Sequence, residues 1–161
     1  QSVKGRVEVV PTPGKDYTVL IDYSHTPDSL ENILKAVRGF CTGRIIAVFG
    51  CGGDRDPFKR PVMGKIAAEL SDLAIVTSDN PRTEDPYKIL RQILAGMQDT
   101  ETPYEVIESR VSAIGRAMEL AQKDDVIVLC GKGHETYQEI GHEKHHLDER
   151  EVVASYLEAN A

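Results

Sequence analysis

The chain contains little cysteine, and its three cysteines are far apart. Cys41, Cys51 and Cys130 include no Cys-x-x-Cys pair. Neither a disulfide framework nor a structural zinc site is therefore indicated. We expect reduced thiols that pack as small apolar groups in a reducing compartment.

Histidine is also too sparse to indicate a metal centre. Three of the five histidines, His142, His145 and His146, lie close together near the end of the chain. Adjacent residues on a strand point to opposite faces, and no cysteine or third ligand has a suitable spacing. We therefore expect a solvated hairpin here, and no metal site in this chain.

Long apolar stretches and a surplus of basic residues are missing as well. No stretch approaches the roughly 18 consecutive apolar residues that a membrane span needs, and none has the order of a signal peptide. Nineteen lysines and arginines are outnumbered by 26 aspartates and glutamates, for a net charge of -7. A nucleic-acid binder needs a clustered basic surface instead. We expect a cytoplasmic protein that binds neither membranes nor nucleic acid.

Strand-like and helix-like segments alternate along the 161 residues. Short β-branched runs predict strands at 7–10, 17–22, 44–49, 73–77, 104–107 and 125–130, and a hairpin at 137–140 and 144–147. Helices are predicted to begin at Pro27, Pro61 and Pro86, with further helices around 114–121 and 149–160. This order predicts an α/β fold, a single domain over 1–161. Its Rossmann-like, mainly parallel sheet has helices on both faces and a C-terminal antiparallel hairpin.

The loops that follow the predicted strands are polar and rich in glycine. In a parallel sheet, ligands bind outside the carboxyl ends of the strands, so these loops are candidates for a site. Arg55 and Arg82 could hold a carboxylate or phosphate, while Asp79 and Glu135 could accept from an ammonium group. Together they would suit a zwitterionic small molecule. Solvated loop salt bridges and simple turns are the alternative explanation.

Known nucleotide-binding motifs are absent from these loops. The segment 50–56 has no Gly-x-Gly-x-x-Gly, and Gly131-Lys132-Gly133 lacks the rest of a P-loop. A self-sufficient nucleotide hydrolase is therefore not expected. Asp22, at a strand end, could bind a ribose hydroxyl. His25 could bind a phosphate or reacting group, or it could be structural.

Five sequence blocks, taken together, resemble the carboxy-terminal domain of the Mur ligases. They are Gly5-Arg-Val-Glu8, Asp22-Tyr-Ser-His-Thr-Pro27, Gly50-Cys-Gly-Gly-Asp-Arg-Asp56, Asp79-Asn-Pro-Arg82 and Gly131-Lys-Gly-His-Glu135. Their order and spacing are similar to those of the members that add meso-diaminopimelate, the third residue of the peptidoglycan stem peptide. The resemblance implies a three-domain enzyme whose N-terminal UDP-substrate domain and central ATPase domain are absent from this chain.

The resemblance also implies a reaction and its ligands. ATP would phosphorylate the terminal carboxylate of UDP-N-acetylmuramoyl-L-alanyl-D-glutamate, and the amine of meso-diaminopimelate would attack the acyl phosphate. ATP and Mg²⁺ would be cofactors of the full-length enzyme, with the Mg²⁺ ligands outside this chain. The isolated chain is therefore expected to lack ligase activity.

Individual roles carry over from the family motifs to matching positions. The residues implied to bind meso-diaminopimelate are Arg55, Asp79, Asn80, Pro81, Arg82, Gly131 and Glu135. Those implied to bind the nucleotide are Arg6, Asp22 and His25. Arg82 would pair with the second carboxylate of diaminopimelate, which lysine lacks. The second block has Tyr-Ser-His-Thr-Pro where Tyr-Ala-His-Asn-Pro is commoner, which affects only the turn.

Two other functions stay open at this point. The chain could be a stand-alone binding module for a zwitterion or a nucleotide, without chemistry of its own. It could also belong to an L-lysine-adding ligase of the same family. Arg82 argues against L-lysine as the substrate, because the Arg82 guanidinium would have no carboxylate to pair with.

Overall fold

The computed structural model describes residues 7–161 and contains two sheets. The elements in chain order are β1 (Val7–Val10), β2 (Thr18–Asp22), α1 (Pro27–Arg38), β3 (Ile45–Phe49), α2 (Lys59–Leu70), β4 (Leu73–Val76), α3 (Pro86–Ala95), β5 (Tyr104–Val106), α4 (Arg110–Leu120), β6 (Val126–Cys130), β7 (Tyr137–Ile140), β8 (Glu143–His146) and α5 (Glu149–Ala159). Arg6 lies outside the described residues.

The larger sheet has six strands in the order β1-β2-β6-β3-β4-β5. Strands β2 to β6 are parallel to one another, and the edge strand β1 runs antiparallel to β2. β7 and β8 form a separate antiparallel hairpin. The predicted α/β fold is therefore confirmed, and the carboxyl ends of β2, β6, β3 and β4 meet at one edge.

Helices cover both faces of this sheet, because each carries one apolar stripe. α1, α2 and α3 pack on one face through residues such as Leu34, Met63 and Ile93. α4 and α5 pack on the other face through Ile114 and Val153. β3 and β6 are buried along their whole length, as expected for central strands covered on both sides.

Local sequence signals determine where the helices begin. Thr26 caps α1 in a capping box with Ser29, Pro27 is the first helical residue, and Gly39 follows the last turn. The prediction that α2 begins at Pro61 was wrong by two residues, since it begins at Lys59. Proline is tolerated at the third position because the first four N–H groups of a helix have no intrahelical partner.

The predicted strand boundaries differ from the observed ones by one residue at several ends. The strands predicted at 17, 44 and 125 each begin one residue later. The last strand spans 143–146 rather than 144–147. No helix within residues 7–161 is long and apolar enough to cross a membrane.

The three cysteines are free thiols, as predicted. Cys51 and Cys130 are buried, and Cys41 is partly exposed. Burial raises the pKa of the Cys51 thiol to about 12.

Candidate functional site

Loops at the carboxyl edge of the sheet surround a cleft of about 360 Å³. They follow β2, β3, β4 and β6, which the sheet order places side by side. The cleft residues are His25, Thr26, Gly50, Cys51, Gly52, Arg55, Asp56, Lys59, Arg60, Met63, Asp79, Asn80, Arg82 and Glu135. The volume suits a small ligand such as an amino acid.

One wall of the cleft combines carboxylates with a buried lysine behind it. Lys132 is fully buried, and its Nζ donates to Asn80 Oδ1 at 2.7 Å and to Glu135 Oε1 at 3.1 Å. Asp79 Oδ1 lies 3.4 Å from the same Nζ. That oxygen is buried and accepts no hydrogen bond from residues 7–161. Asp79 nevertheless lines the cleft, so its carboxylate contributes negative charge there.

Arg82 borders the cleft in an unusual backbone conformation. Its φ of 51° lies in the left-handed region, which is uncommon for a residue other than glycine. Two backbone hydrogen bonds hold it there, from Arg82 N to Glu139 O and from Gly141 N to Arg82 O. The guanidinium donates from Nε to Glu139 Oε1 and from Nη1 to Gly53 O, both at 3.0 Å. Within residues 7–161, Nη2 has no acceptor, so it can serve a ligand.

Arg55 is exposed, and it is tied only to its own loop. Its Nη1 donates to the Asp54 carbonyl at 3.0 Å, and no carboxylate among residues 7–161 forms an ion pair with it. Asp54 itself has a φ of 56° and accepts from Thr83 Oγ1 at 2.7 Å. Arg55 therefore adds a second guanidinium that can move toward an anion in the cleft.

Of the residues predicted to bind the nucleotide, the structure describes Asp22 and His25. His25 is exposed and lines the cleft. Asp22 is buried, does not line the cleft, and accepts hydrogen bonds from the backbone and side chain of Ser24. Arg6 lies outside the described residues.

Six of the predicted site residues meet at the cleft, namely Arg55, Asp79, Asn80, Arg82, Glu135 and His25. Pro81 and Gly131 are buried behind it. A Cβ atom at Gly53 would lie 1.8 Å from the Pro81 carbonyl oxygen, so these two loops touch backbone to backbone. Gly131 has a φ of 115° and lies against the Asp79 carboxylate.

Sequence reasoning missed two buried cations beside the cleft. Lys132 lies in the last of the five sequence blocks and in an incomplete P-loop, but no role was predicted for it, although a lysine between two glycines after a buried strand was an available signal. Arg60 is 1% exposed and binds Glu84, Gln92 and the Gly52 carbonyl. Nothing in its surrounding sequence distinguishes it from a surface arginine.

The hairpin β7–β8 supports the loop that carries Asp79 and Arg82. Gln138 Nε2 donates to the Asp79 carbonyl at 2.6 Å, and Glu139 N donates to Asn80 Oδ1 at 2.9 Å. Arg82 forms an isolated β-bridge with Ile140. The hairpin was predicted, but its contact with this loop was not.

Within residues 7–161, no group of three or more His, Cys, Asp or Glu side chains could hold a metal ion. His145 and His146 are exposed and lie near Glu143 and Glu151 respectively. These contacts suit a solvated hairpin.

Residues 5–133 match the family model described as "Mur ligase, glutamate ligase domain". The chain belongs to this Mur ligase family. This confirms the family that the five sequence blocks indicated. The cleft loops up to Gly133 lie within the matched region, whereas Glu135 and the supporting hairpin lie beyond its end.

Similar proteins include Mur ligases whose names state their substrate. The chain is 63% identical over 156 residues to the UDP-N-acetylmuramoyl-L-alanyl-D-glutamate--2,6-diaminopimelate ligase of Trichormus variabilis, covering 96% of this chain and 31% of the relative. It is 55% identical over 155 residues to the ligase of the same name from Clostridioides difficile, with 96% and 32% covered. The chain thus spans about a third of the length of these relatives.

A solved structure of a ligase with the same name has a closely similar fold. The TM-score is 0.92 at 39% sequence identity, and the match covers 99% of this chain and 32% of that one.

Proposed function

We propose that the cleft binds meso-diaminopimelate as the incoming amino acid of a Mur ligase reaction. The observation that carries this proposal is that guanidinium donors and carboxylates line the same cleft. Arg82 Nη2 and Arg55 offer donors to a carboxylate, while Asp79 and Glu135, which line the same cleft, offer carboxylates to an ammonium group. Each end of diaminopimelate carries a carboxylate and an ammonium on one carbon, so it needs both kinds of partner. The names of the similar ligases support the same substrate.

The chain would supply the amino-acid-binding part of a longer ligase. In the proposed reaction, the terminal carboxylate of UDP-N-acetylmuramoyl-L-alanyl-D-glutamate first accepts the γ-phosphoryl group of ATP, which releases ADP. The nitrogen of the amino acid then attacks the acyl carbon, the C–N bond forms, the C–O bond to phosphate breaks, and the amine loses a proton. Activation is needed because an amine does not displace oxide from a carboxylate at neutral pH.

The residues of this chain would bind and orient the amino acid for that attack. Asp79, Asn80, Glu135 and the Gly131 carbonyl would hold an ammonium group. Arg82 and Arg55 would bind the carboxylates, and Pro81 would shape its loop. Arg6, Asp22 and His25 would contact the nucleotide. The Mg²⁺ that accompanies ATP would be held by residues outside this chain. On this proposal the chain alone has no ligase activity, and the protein acts in the cytoplasm, where ATP is supplied.

Calorimetric titration of this chain with meso-diaminopimelate and with L-lysine tests the proposal. We expect diaminopimelate to bind at least about ten-fold more tightly, because lysine leaves Arg82 unpaired. Arg82→Ala should remove most of this preference, a loss of about 1.5–3 kcal/mol for a charge-assisted hydrogen bond. The matched control is Arg91→Ala, which replaces an exposed arginine on α3. Equal binding of both amino acids, or binding of neither, would contradict the proposal.

A further inference from the structure

Lys132 contacts the acidic wall of the cleft, which Asp79, Asn80 and Glu135 form, from its buried side. Its side chain is fully buried and contacts three of the residues assigned above to the ammonium subsite. It does not line the cleft itself, so it cannot touch a ligand there. Any effect on binding must therefore act through the residues that Lys132 contacts or through its charge.

The first effect of Lys132 is to orient the Asn80 amide. Asn80 Oδ1 accepts from Lys132 Nζ at 2.7 Å and from Glu139 N at 2.9 Å. The amide nitrogen is thereby turned toward Glu135 Oε1, at 3.5 Å. Two donors on one oxygen leave the amide a single favourable orientation. The cleft thus meets a defined arrangement of Asn80 and Glu135.

The second effect concerns the charge of the subsite. Lys132 Nζ lies 3.4 Å from Asp79 Oδ1 and 3.1 Å from Glu135 Oε1. Glu139 is paired with Arg82, and Asp79 also interacts with the buried Arg110, whose pKa its charge helps to raise. Removal of the lysine charge would leave the buried wall with one more uncompensated negative charge, which favours a more cationic ligand. At neutral pH L-lysine carries one more net positive charge than meso-diaminopimelate.

We propose that Lys132 is a positioning residue that determines which amino acid the cleft prefers. Its buried ammonium orients Asn80 and partly neutralises the acidic wall. The cleft therefore prefers a zwitterionic end group to a bare ammonium. This rests on the proposed function of the cleft. Lys132 and Arg82 act on different groups of the ligand. Arg82 attracts the second carboxylate of meso-diaminopimelate, and Lys132 repels the side-chain ammonium of L-lysine, which has no carboxylate beside it.

The test compares Lys132→Met, which removes the charge at similar length, with Lys132→Arg, which keeps it. Lys123→Met is the matched control, since Lys123 is exposed and no residue among 7–161 pairs with it. The measured quantity is the ratio of the dissociation constants for L-lysine and meso-diaminopimelate. We expect Lys132→Met to lower this ratio about ten-fold. Lys132→Arg should keep the ratio within about three-fold, and the control should leave it unchanged. If Lys132→Met does not fold, Lys132→Gln supplies the neutral variant.

If Lys132 only supported the fold, the result would be different. The affinities for L-lysine and for meso-diaminopimelate would then fall together in the neutral variants. An unchanged ratio of the two dissociation constants would overturn the proposal. If the unaltered chain bound neither amino acid, the proposed function would fail, and the Asn80 side-chain amide signals in NMR spectra of the unliganded chain would decide the positioning role. We expect the Asn80 signals to shift in the neutral variants and to keep their positions in Lys132→Arg. Unchanged signals in every variant would overturn the positioning role.

Discussion

At the scale of single residues, Arg60 sets the charge state of Glu84. The buried guanidinium donates to both carboxylate oxygens, at 2.6 and 3.1 Å. Asp54 N adds a third hydrogen bond to Glu84 at 2.7 Å. The hydrogen bonds from Arg60 outweigh partial burial and lower the pKa of Glu84 to about 2. The contact joins α2 to the loop after β4, beside the cleft.

This lowered pKa predicts a specific loss of stability in acid. Because the pKa of Glu84 is lower in the folded chain than in the unfolded chain, the unfolded chain takes up the proton first as pH falls. The stabilisation is complete above about pH 5 and is lost progressively toward pH 2. We expect the advantage of the unaltered chain over Glu84→Gln in free energy of unfolding to shrink by on the order of 2 kcal/mol over that window.

Urea unfolding at pH 7, 5 and 3 measures this difference. The control is Glu101→Gln, which removes an exposed carboxylate that pairs with no residue among 7–161. The difference in free energy of unfolding between the unaltered chain and Glu84→Gln removes the contributions of the other carboxylates that titrate in acid. A difference that stays constant with pH would show that the ion pair does not survive in solution.

At the scale of elements, the two helices of a pair lie much closer together in one pair, α2 and α3, than in the other, α4 and α5. A Cβ atom on Gly64 in α2 would lie 2.2 Å from the Ile93 carbonyl oxygen of α3. A Cβ atom on Gly115 in α4 would meet only the Tyr156 ring of α5, at 3.5 Å. α2 and α3 thus pack backbone to backbone, whereas α4 and α5 are separated by a side chain.

The same substitution should therefore have opposite effects at the two glycines. Gly64→Ala forces the helices apart and should lower the free energy of unfolding by about 1–3 kcal/mol. Gly115→Ala makes an ordinary contact and restricts the unfolded chain, so it should raise that free energy by about 0.5–1 kcal/mol. Chemical denaturation of both variants, each with a circular dichroism spectrum to verify folding, checks the prediction. Changes of the same sign would contradict the packing described.

At the scale of the whole molecule, one buried ion pair joins α4 and α5 to the sheet edge that carries the cleft. Arg110 Nε donates to Glu149 Oε2 at 2.7 Å, and both side chains are fully buried. The other guanidinium nitrogens donate to the carbonyls of Ser78 and Cys130, which immediately precede Asp79 and Gly131. Burial alone would lower the pKa of Arg110, but the charges of Glu149 and Asp79 and the hydrogen bond to Glu149 together outweigh it and raise that pKa.

Removal of one charge of this pair should lower the free energy of unfolding far more than replacement of both residues by apolar ones. Glu149→Gln leaves a buried guanidinium uncompensated, and we expect the free energy of unfolding to fall by about 3–5 kcal/mol. The double change Arg110→Met with Glu149→Leu removes both charges and should cost clearly less. Thermal and urea unfolding of the single and double variants give the comparison. A double variant as unstable as the single one would mean that the hydrogen bonds to the two carbonyls, rather than the compensated charge, stabilise this edge.

The sequence by itself determined the elements and the edge at which the site lies. Strand and helix periodicities involve neighbours two to four residues apart, and capping residues such as Thr26 act within one turn, so a linear pattern contains this information. Parallel strands bring their carboxyl ends to one edge, so the sequence pattern alone groups Arg55, Asp79, Arg82 and Glu135. The resemblance to the Mur ligases adds Asn80. Element boundaries were less certain, as the start of α2 shows, because the unpaired N–H groups of a first turn tolerate proline inside it.

Only the tertiary structure decided which side chains at that edge face the ligand and which hold the wall in place. Lys132 contacts Asn80, 52 residues earlier, and Gln138 reaches the Asp79 carbonyl across 59 residues. Such contacts depend on the order of strands in the sheet and on where the hairpin packs. Burial then selects among polar groups, since a buried charge must find a partner while an exposed one need not. Local patterns contain neither the strand order nor the burial, so the roles of Lys132 and of the hairpin became visible only in the folded chain.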